Sequence, residues 1–141
     1  MIIMSVDLGL SRTGIAVCDK MEILASPVTV IHEKDLDVTL EKTAAEAQRL
    51  NPDLIVVGLP RRTDDKQGDA ELRAKDFGAR LGERTGKEIV MWDERFTTVS
   101  AHNYLNENNV RGKKRKNVVD AVAAVIILEN YLEHRRINRT Q

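Results

Sequence analysis

The hydrophobic pattern of the chain changes near residue 35, and the first part has the alternation of a small sheet. Ile2–Val6 and Ile15–Cys18 are short apolar runs rich in β-branched residues, which predicts two buried strands. Two glycines lie between these runs and favour a hairpin. Ile23–Ile31 predicts a third strand, which Pro27 places at an edge or at a bulge. The simplest prediction is an antiparallel three-stranded meander.

In the middle of the chain, segments whose apolar residues have helical spacing alternate with segments typical of strands. Apolar residues at helical spacing predict a helix that ends at Asn51. Asp53–Gly58 (DLIVVG) follows, as expected of a strand covered on both faces. A second helix ends at Gly86, and Glu88–Trp92 predicts another strand. These units predict right-handed β-α-β crossovers.

The last third of the chain is predicted to be helical. Thr97 or Thr98 can N-cap a third helix, Arg111–Lys116 (RGKKRK) predicts a basic loop, and Val118 to about Arg135 predicts a final helix. The whole order is β-β-β-α-β-α-β-α-α. We therefore predict one α/β domain over residues 1–141, with a mixed five-stranded sheet (the meander plus two parallel strands) flanked by helices.

Composition narrows the class of protein. The net charge is zero and the pI is about 6.8, so bulk charge gives no indication of a nucleic-acid partner. Cys18 is the single cysteine, which excludes an internal disulfide and a cysteine-based zinc site. The three histidines have no metal-ligand spacing and receive no role. With no signal-peptide pattern and no long apolar run, we expect a soluble cytoplasmic protein.

Acidic residues stand where predicted strands end. Asp7 follows the first strand, Asp93 and Glu94 follow the last, and Asp120 interrupts the apolar run VVDAVAAVIIL. Ligands of open α/β sheets gather at the carboxyl ends of the parallel strands. Cleavage of a phosphodiester commonly uses two divalent ions about 4 Å apart, and Mg²⁺ and Mn²⁺ prefer carboxylate oxygens. These acids therefore indicate a candidate metal site.

Each acid also has a purely structural explanation. Asp7 could cap the hairpin, and Asp120 could complete a capping box at a helix that begins at Asn117. Asp93 or Glu94 could form a salt bridge with the neighbouring arginine. Because successive side chains of a strand point to opposite faces of the sheet, Asp93 and Glu94 are expected to face opposite ways. Glu94 has the longer side chain and reaches further toward Asp7.

The basic segment Arg111–Lys116 has two interpretations as well. It could be a solvated loop, or it could grip phosphates beside the scissile bond. Arg135, Arg136 and Arg139 form a second, weaker basic cluster. Aromatic residues make up only 4% of the chain, so recognition of backbone and shape is favoured over stacking on unpaired bases.

Four segments in this order resemble the YqgF (RuvX) family over nearly the whole chain. They are DLGLSRTGIAV at Asp7–Val17, VVGLP at Val56–Pro60, DERFTT at Asp93–Thr98 and KNVVDAVAAVIILENYL at Lys116–Leu132. The resemblance implies an RNase-H-like fold related to the RuvC Holliday-junction resolvases. It also implies a divalent-metal-dependent endonuclease, with 5′-end maturation of pre-16S rRNA in ribosome biogenesis as the favoured activity.

The resemblance assigns roles to particular residues. Asp7, Glu94 and Asp120 are expected to be the catalytic acids and to hold Mg²⁺ or Mn²⁺, as two ions. Arg12 is expected to contact a phosphate. Thr97 and Thr98, at the predicted helix N-terminus, are expected to contact a phosphate as well. Apart from the resemblance, the charges of the loop after the fourth strand and of the basic segment predict further nucleic-acid contacts: Arg62, Arg111, Lys113, Lys114, Arg115 and Lys116.

The chain departs from the family pattern in two places. Arg62 and Asp65 stand where the family usually has Asn and Gly, although Asp64 keeps the acid. No acid ends the strand Asp53–Gly58, so the second carboxylate must come from Glu94 or from the loop acids. Three functions stay open: an RNA nuclease, a resolvase of DNA junctions that acts as a dimer, and a non-catalytic RNA-binding assembly factor. The partner is nucleic acid, and we expect a monomer or weak homodimer.

Overall fold

The computed structural model describes residues 1–60, 68–96 and 112–139, and at 96, 112–120 and 139 it describes the backbone alone. The predicted element order is confirmed across these residues, while the predicted third helix falls in 97–111, outside them. The elements are β1 (Ile3–Asp7), β2 (Arg12–Cys18), β3 (Ala25–His32), α1 (Leu36–Leu50), β4 (Leu54–Leu59), α2 (Asp69–Thr85), β5 (Glu88–Asp93), a 3₁₀ turn (Glu94–Phe96) and α3 (Gly112–Arg139).

The five strands form one mixed sheet in the order β3-β2-β1-β4-β5. The pairs β1–β2 and β2–β3 are antiparallel, whereas β1–β4 and β4–β5 are parallel. All six residues of β4 are buried, as its continuous apolar run predicts. Because β4 lies between β1 and β5, the carboxyl ends of these three strands meet at one edge of the sheet.

Strand β3 is both an edge strand and a bulged strand. Its pairing with β2 shifts by one residue between Ile15, which pairs with Thr29, and Ala16, which pairs with Pro27. Val28 is therefore the extra residue, next to the proline that cannot donate a ladder hydrogen bond. The prediction from Pro27 is confirmed on both counts.

The two faces of the sheet carry separate cores. One core includes Met4 and Val6 of β1 and is closed by α1 and α2, with Phe77 and Leu81 fully buried. The other core includes Ile3 and is closed by the apolar side of α3. Alternate residues of β4 face the two cores, which is why this strand is apolar without interruption.

Helices α1 and α2 begin and end where the sequence predicts. Asp35 accepts a hydrogen bond from the Val38 amide at 3.1 Å, and α1 ends at Asn51 in the left-handed region (φ +48°). Helix α2 ends at Gly86 (φ +72°). A Cβ on Gly78 would lie 2.7 Å from the Met91 sulfur, so this glycine lets α2 pack closely on β5.

Helix α3 begins earlier than the sequence predicts. The prediction of a loop over Arg111–Lys116 is wrong for residues 112–116, because the helix already begins at Gly112. Lysine and arginine are good helix formers, and here they extend the apolar helix toward its N-terminus.

No helix in the described ranges has the length and hydropathy to cross a membrane.

Helix α3 runs antiparallel to β1 across the sheet. The Ser5 hydroxyl donates to the Ala124 carbonyl at 2.7 Å, and Arg135 Nε donates to Glu22 Oε1 at 2.7 Å. Glu22 in turn lies 3.0 Å from the Met1 ammonium, at the start of β1. The N-terminal part of α3 therefore lies toward the end of β1 that carries Asp7.

Candidate metal and nucleic-acid site

Asp7 ends β1 between two positions that have no side chain. It pairs with Gly14 of β2, and Gly58 stands at the same level on β4, because Val6 pairs with Val57. Ser5, two residues earlier on the same face, is hydrogen-bonded to α3, so the Asp7 side chain also lies on the α3 face. Neither neighbouring strand therefore places a side chain of its own directly beside the carboxylate.

The space above Gly58 is filled by the side chain of Glu94. A Cβ on Gly58 would lie 2.7 Å from Glu94 Oε1 and 2.7 Å from Ile127 Cδ1. Glu94 begins the 3₁₀ turn after β5, and its carboxyl group crosses β4 to form a hydrogen bond with Asp7. Glycine at this position is therefore what lets the two acids meet.

The two carboxyl groups form an electrostatically unfavourable pair. Burial raises the pKa of Glu94, and the nearby charge of Asp93 raises it further, while the hydrogen bond with Asp7 acts in the opposite direction. A hydrogen bond between two carboxyl groups needs a shared proton. A divalent cation bound by both groups would remove that need, because it neutralises two negative charges at once.

Asp93 has a different environment from its neighbour Glu94. Its carboxylate pairs with Arg95, with 2.8 Å between Oδ2 and Nη2, and it also accepts the Arg95 backbone N–H at 2.8 Å. The structural explanation considered from the sequence therefore applies to Asp93. Glu94 is the acid of this pair that turns to Asp7.

Asp120 lies in α3, one turn before Ala124, on the part of the helix that extends toward the end of β1. Its side chain is outside the described atoms, so its meeting with Asp7 and Glu94 stays a prediction. Among the side chains that the structure describes, no group of three or more His, Cys, Asp or Glu residues is placed to hold a metal ion.

The expected nucleic-acid contacts are only partly covered by the described residues. Arg12 begins β2, two residues before Gly14 and therefore on the same face as Asp7, and it is half-buried. Lys113, Lys114, Arg115 and Lys116 belong to the first turns of α3, where the backbone alone is described. The remaining positions lie outside the described residues: Arg62, Thr97, Thr98 and Arg111, together with the loop acids Asp64 and Asp65.

Sequence reasoning missed the role of Gly58. The signal was present, because a glycine near the end of a six-residue buried strand leaves a gap beside its neighbours. What the sequence lacks is the lateral order of the strands and the direction that the chain takes after β5.

The five-stranded mixed sheet in the order β3-β2-β1-β4-β5, with helices on both faces, has the RNase H-like fold of the RuvC resolvases. The structure of Thermus thermophilus RuvC in complex with a Holliday junction substrate is similar, with a TM-score of 0.65 and 11% identity over 95% of this chain and 96% of that one. The Fowlpox virus resolvase in complex with Holliday junction DNA has a TM-score of 0.55 and 17% identity, over 95% and 98% of the two chains. At these identities the likeness concerns the fold alone.

The family follows from sequence comparison. The family model described as "RuvX: Holliday junction resolvase" matches residues 1–134, and the chain belongs to this family. A relative from Agathobacter rectalis is 35% identical over 98% of this chain and 99% of its own length. One from Thiobacillus denitrificans is 38% identical over 94% and 92%. Both bear the name "Putative pre-16S rRNA nuclease", so the resemblance predicted from four motifs is confirmed.

Proposed function

We propose that the protein is a divalent-metal-dependent endonuclease of the cytoplasm that processes the 5′ end of pre-16S rRNA. The observation that carries the proposal is the contact of Glu94 with Asp7 above Gly58. Two adjacent carboxyl groups repel each other when both are ionised, so the arrangement favours a divalent cation between them. Membership of a nuclease family and the names of the relatives support the same conclusion.

The donor set fits a hard divalent cation. Asp7 and Glu94 offer carboxylate oxygens within hydrogen-bond distance of each other, which is the ligand chemistry that Mg²⁺ and Mn²⁺ prefer. Asp120, on the helix that extends toward this edge, would complete the set for one or two ions. When bound, such ions supply an activated water and charge stabilisation at the scissile phosphate.

The chain's own residues position the substrate. The register with β2 fixes Asp7 at the end of β1, where it pairs with Gly14, and Glu94 occupies the space above Gly58 on the other side. Arg12, beyond Gly14 on the same face, would hold a phosphate oxygen. The basic first turns of α3 would bind the substrate backbone in a manner that depends on salt concentration but not on sequence.

The substitution Asp7→Asn tests the proposal. It keeps the shape of the side chain and removes the charge, so cleavage of precursor 16S rRNA in Mn²⁺ should fall by about a thousandfold or more, since the nucleophile is no longer generated. The melting temperature should stay the same or rise. Asp53→Asn, at the other end of the sheet, is the matched control and should cleave normally. Wild-type rates from purified Asp7→Asn protein would contradict the proposal.

A second candidate is a resolvase of DNA junctions, which is favoured by the fold shared with RuvC and the Fowlpox virus resolvase. Cutting two symmetric strands together requires a dimer. A four-way DNA junction in the same assay, combined with sedimentation of the protein, separates the two candidates. RNA binding without metal-dependent cleavage of either substrate would leave the non-catalytic assembly factor.

A further inference from the structure

A histidine with no function assigned from the sequence lies directly beside the candidate site. His32 ends β3 and pairs across the sheet with Arg12 of β2. Arg12 is two residues from Gly14, the partner of Asp7, so both Arg12 and His32 point to the face that carries Asp7. The bulge at Val28 sets this register, and it places the imidazole in the second strand from the catalytic carboxylate.

The residues around this pair form an exposed basic surface with an apolar tip. Leu10, at the tip of the β1–β2 hairpin, is 74% exposed, and His32 and Lys34 are exposed as well. The Glu33 amide donates to the Ser11 carbonyl at 3.0 Å, which holds the end of β3 against the hairpin. We call Leu10, Arg12, His32 and Lys34 the hairpin strip.

Glu33 and Asp35, the two acids that follow β3, are engaged with neighbouring backbone amides and with α1. Glu33 Oε1 accepts the backbone amides of Lys34 and Asp35, each at 3.2 Å, and Glu33 Oε2 lies 3.6 Å from the Lys42 ammonium of α1. Asp35 caps α1 by accepting the Val38 amide. These two carboxylates are thus directed to α1, and the strip presents donors and cations next to Asp7.

We propose that the hairpin strip is the binding surface for the substrate strand on the β3 side of the scissile phosphate. This inference rests on the proposed function, because it takes Asp7 as the point of cleavage. The cationic and imidazole groups contact successive phosphates, and the leucine packs against an unstacked base. Apolar side chains that unstack nucleic acids commonly occur next to phosphate-binding cations.

The ligand is identified by its chemistry as a flexible single strand with a phosphodiester backbone. Arg12 and His32 lie on neighbouring strands that lead away from Asp7, Lys34 follows His32 by two residues, and the leucine tip needs a base that is free to leave its stack. A continuous duplex would have to be kinked before the leucine could contact a base. RNA and DNA strands share this chemistry, and the experiment separates them.

Binding is measured with a labelled single-stranded RNA, its DNA counterpart and the duplex RNA, all in the Asp7→Asn background so that no probe is cleaved. The double variant His32→Ala/Lys34→Ala should weaken binding of single-stranded RNA by about tenfold. Removal of Lys34 should also lower the slope of log affinity against log salt by about one. Leu10→Ala should weaken single-strand binding and leave duplex binding unchanged.

The opposite end of the sheet provides matched controls. Met21 is 75% exposed, close to the value for Leu10, and Lys20 beside it is exposed as well. Met21→Ala and Lys20→Ala should keep affinity within about twofold. All variants should retain the parent melting temperature, since the substituted side chains are exposed.

Unchanged affinity in the His32→Ala/Lys34→Ala variant, or an equal loss in the controls, would overturn the inference. Because binding is measured without cleavage, the two proposals fail separately. If the hairpin strip binds RNA but the wild-type protein cleaves nothing, the proposed nuclease function is wrong. If the protein cleaves in a metal-dependent manner but the strip variants bind normally, only the proposed binding surface is wrong. Equal losses for RNA and DNA assign the strip to the shared backbone, and a loss for RNA alone assigns it to the ribose.

Discussion

Glu22 and Glu94 lie at opposite ends of the sheet, and both side chains are largely buried. Their neighbours differ in charge. Glu22, in the turn after β2, is 8% exposed and accepts hydrogen bonds from Arg135 and from the Met1 ammonium. These partners, Arg135 above all, lower its pKa from 4.5 to about 2. Glu94 has carboxyl groups as neighbours, and burial raises its pKa.

In our proposal the difference separates a structural carboxylate, Glu22, from a metal-binding one, Glu94. Glu22 has protein cations that compensate its charge, so its interaction stabilises the fold by joining the β2–β3 turn to the end of α3. Glu94 lies beside a second carboxyl group, Asp7, and a divalent cation bound by both would compensate the two charges. Substitutions at each end of the sheet therefore test this comparison.

The largest expected effect on stability comes from Glu22→Gln. The amide cannot replace the ion pair with Arg135, and a pKa of about 2 against 4.5 corresponds to about 3 kcal/mol of unfolding free energy. Glu41→Gln is the matched control, because the Glu41–Arg84 pair is exposed and contributes less than about 1 kcal/mol. Urea unfolding at pH 7 measures both, and equal losses would contradict the comparison.

Wild type and Glu22→Gln should also differ in how their unfolding free energy depends on pH. Because the folded-state pKa of Glu22 lies below its ordinary value, its contribution is complete above about pH 5. It is lost as the pH falls from 4.5 toward about 2. The gap in unfolding free energy between wild type and Glu22→Gln should shrink over that window. A gap that stays constant down to pH 3 would mean that the ion pair does not cause it.

A smaller effect on stability, with a selective effect on activity, is expected from Gly58→Ala. The new methyl group would meet Glu94 Oε1 and Ile127 Cδ1, so it should push the glutamate away from Asp7 and lower cleavage by about tenfold or more. The cost in stability is about 1–2 kcal/mol.

Gly82→Ala is the control for this substitution. Its Cβ would lie 3.0 Å from Ile89 Cγ1, in the contact between α2 and β5 and away from the carboxyl pair. It should leave cleavage normal and cost less stability than Gly58→Ala, because alanine is favoured over glycine inside α2. If both alanine variants lose activity in proportion to their stability, Gly58 has no special role in placing Glu94.

Most of the fold was predictable because local signals agree with the tertiary structure. The buried run of β4, the cap at Asp35 and the left-handed ends at Asn51 and Gly86 each depend on a few adjacent residues. The start of α3 was not predictable in this way. A run of cations is equally compatible with a solvated loop and with helix, and its attachment to an apolar helix decided the outcome.

The candidate site was predictable in composition but less so in geometry. The positions of Asp7 and Glu94 after strands indicated that they share one edge. The crossing of Glu94 over Gly58 depends on a tertiary gap with no local signature. His32 was missed for a similar reason, because a one-residue shift at Val28 decides which β3 side chains face Arg12.

The central claim is that Asp7 and Glu94, and not the adjacent Asp93, hold a divalent cation together. Titration calorimetry of Mn²⁺ into wild type, Glu94→Gln and Asp93→Asn tests it most directly. We expect Mn²⁺ binding to wild type and to Asp93→Asn, and a loss of at least about tenfold in affinity for Glu94→Gln. Equal affinity of Glu94→Gln and wild type, or loss only in Asp93→Asn, would contradict the account.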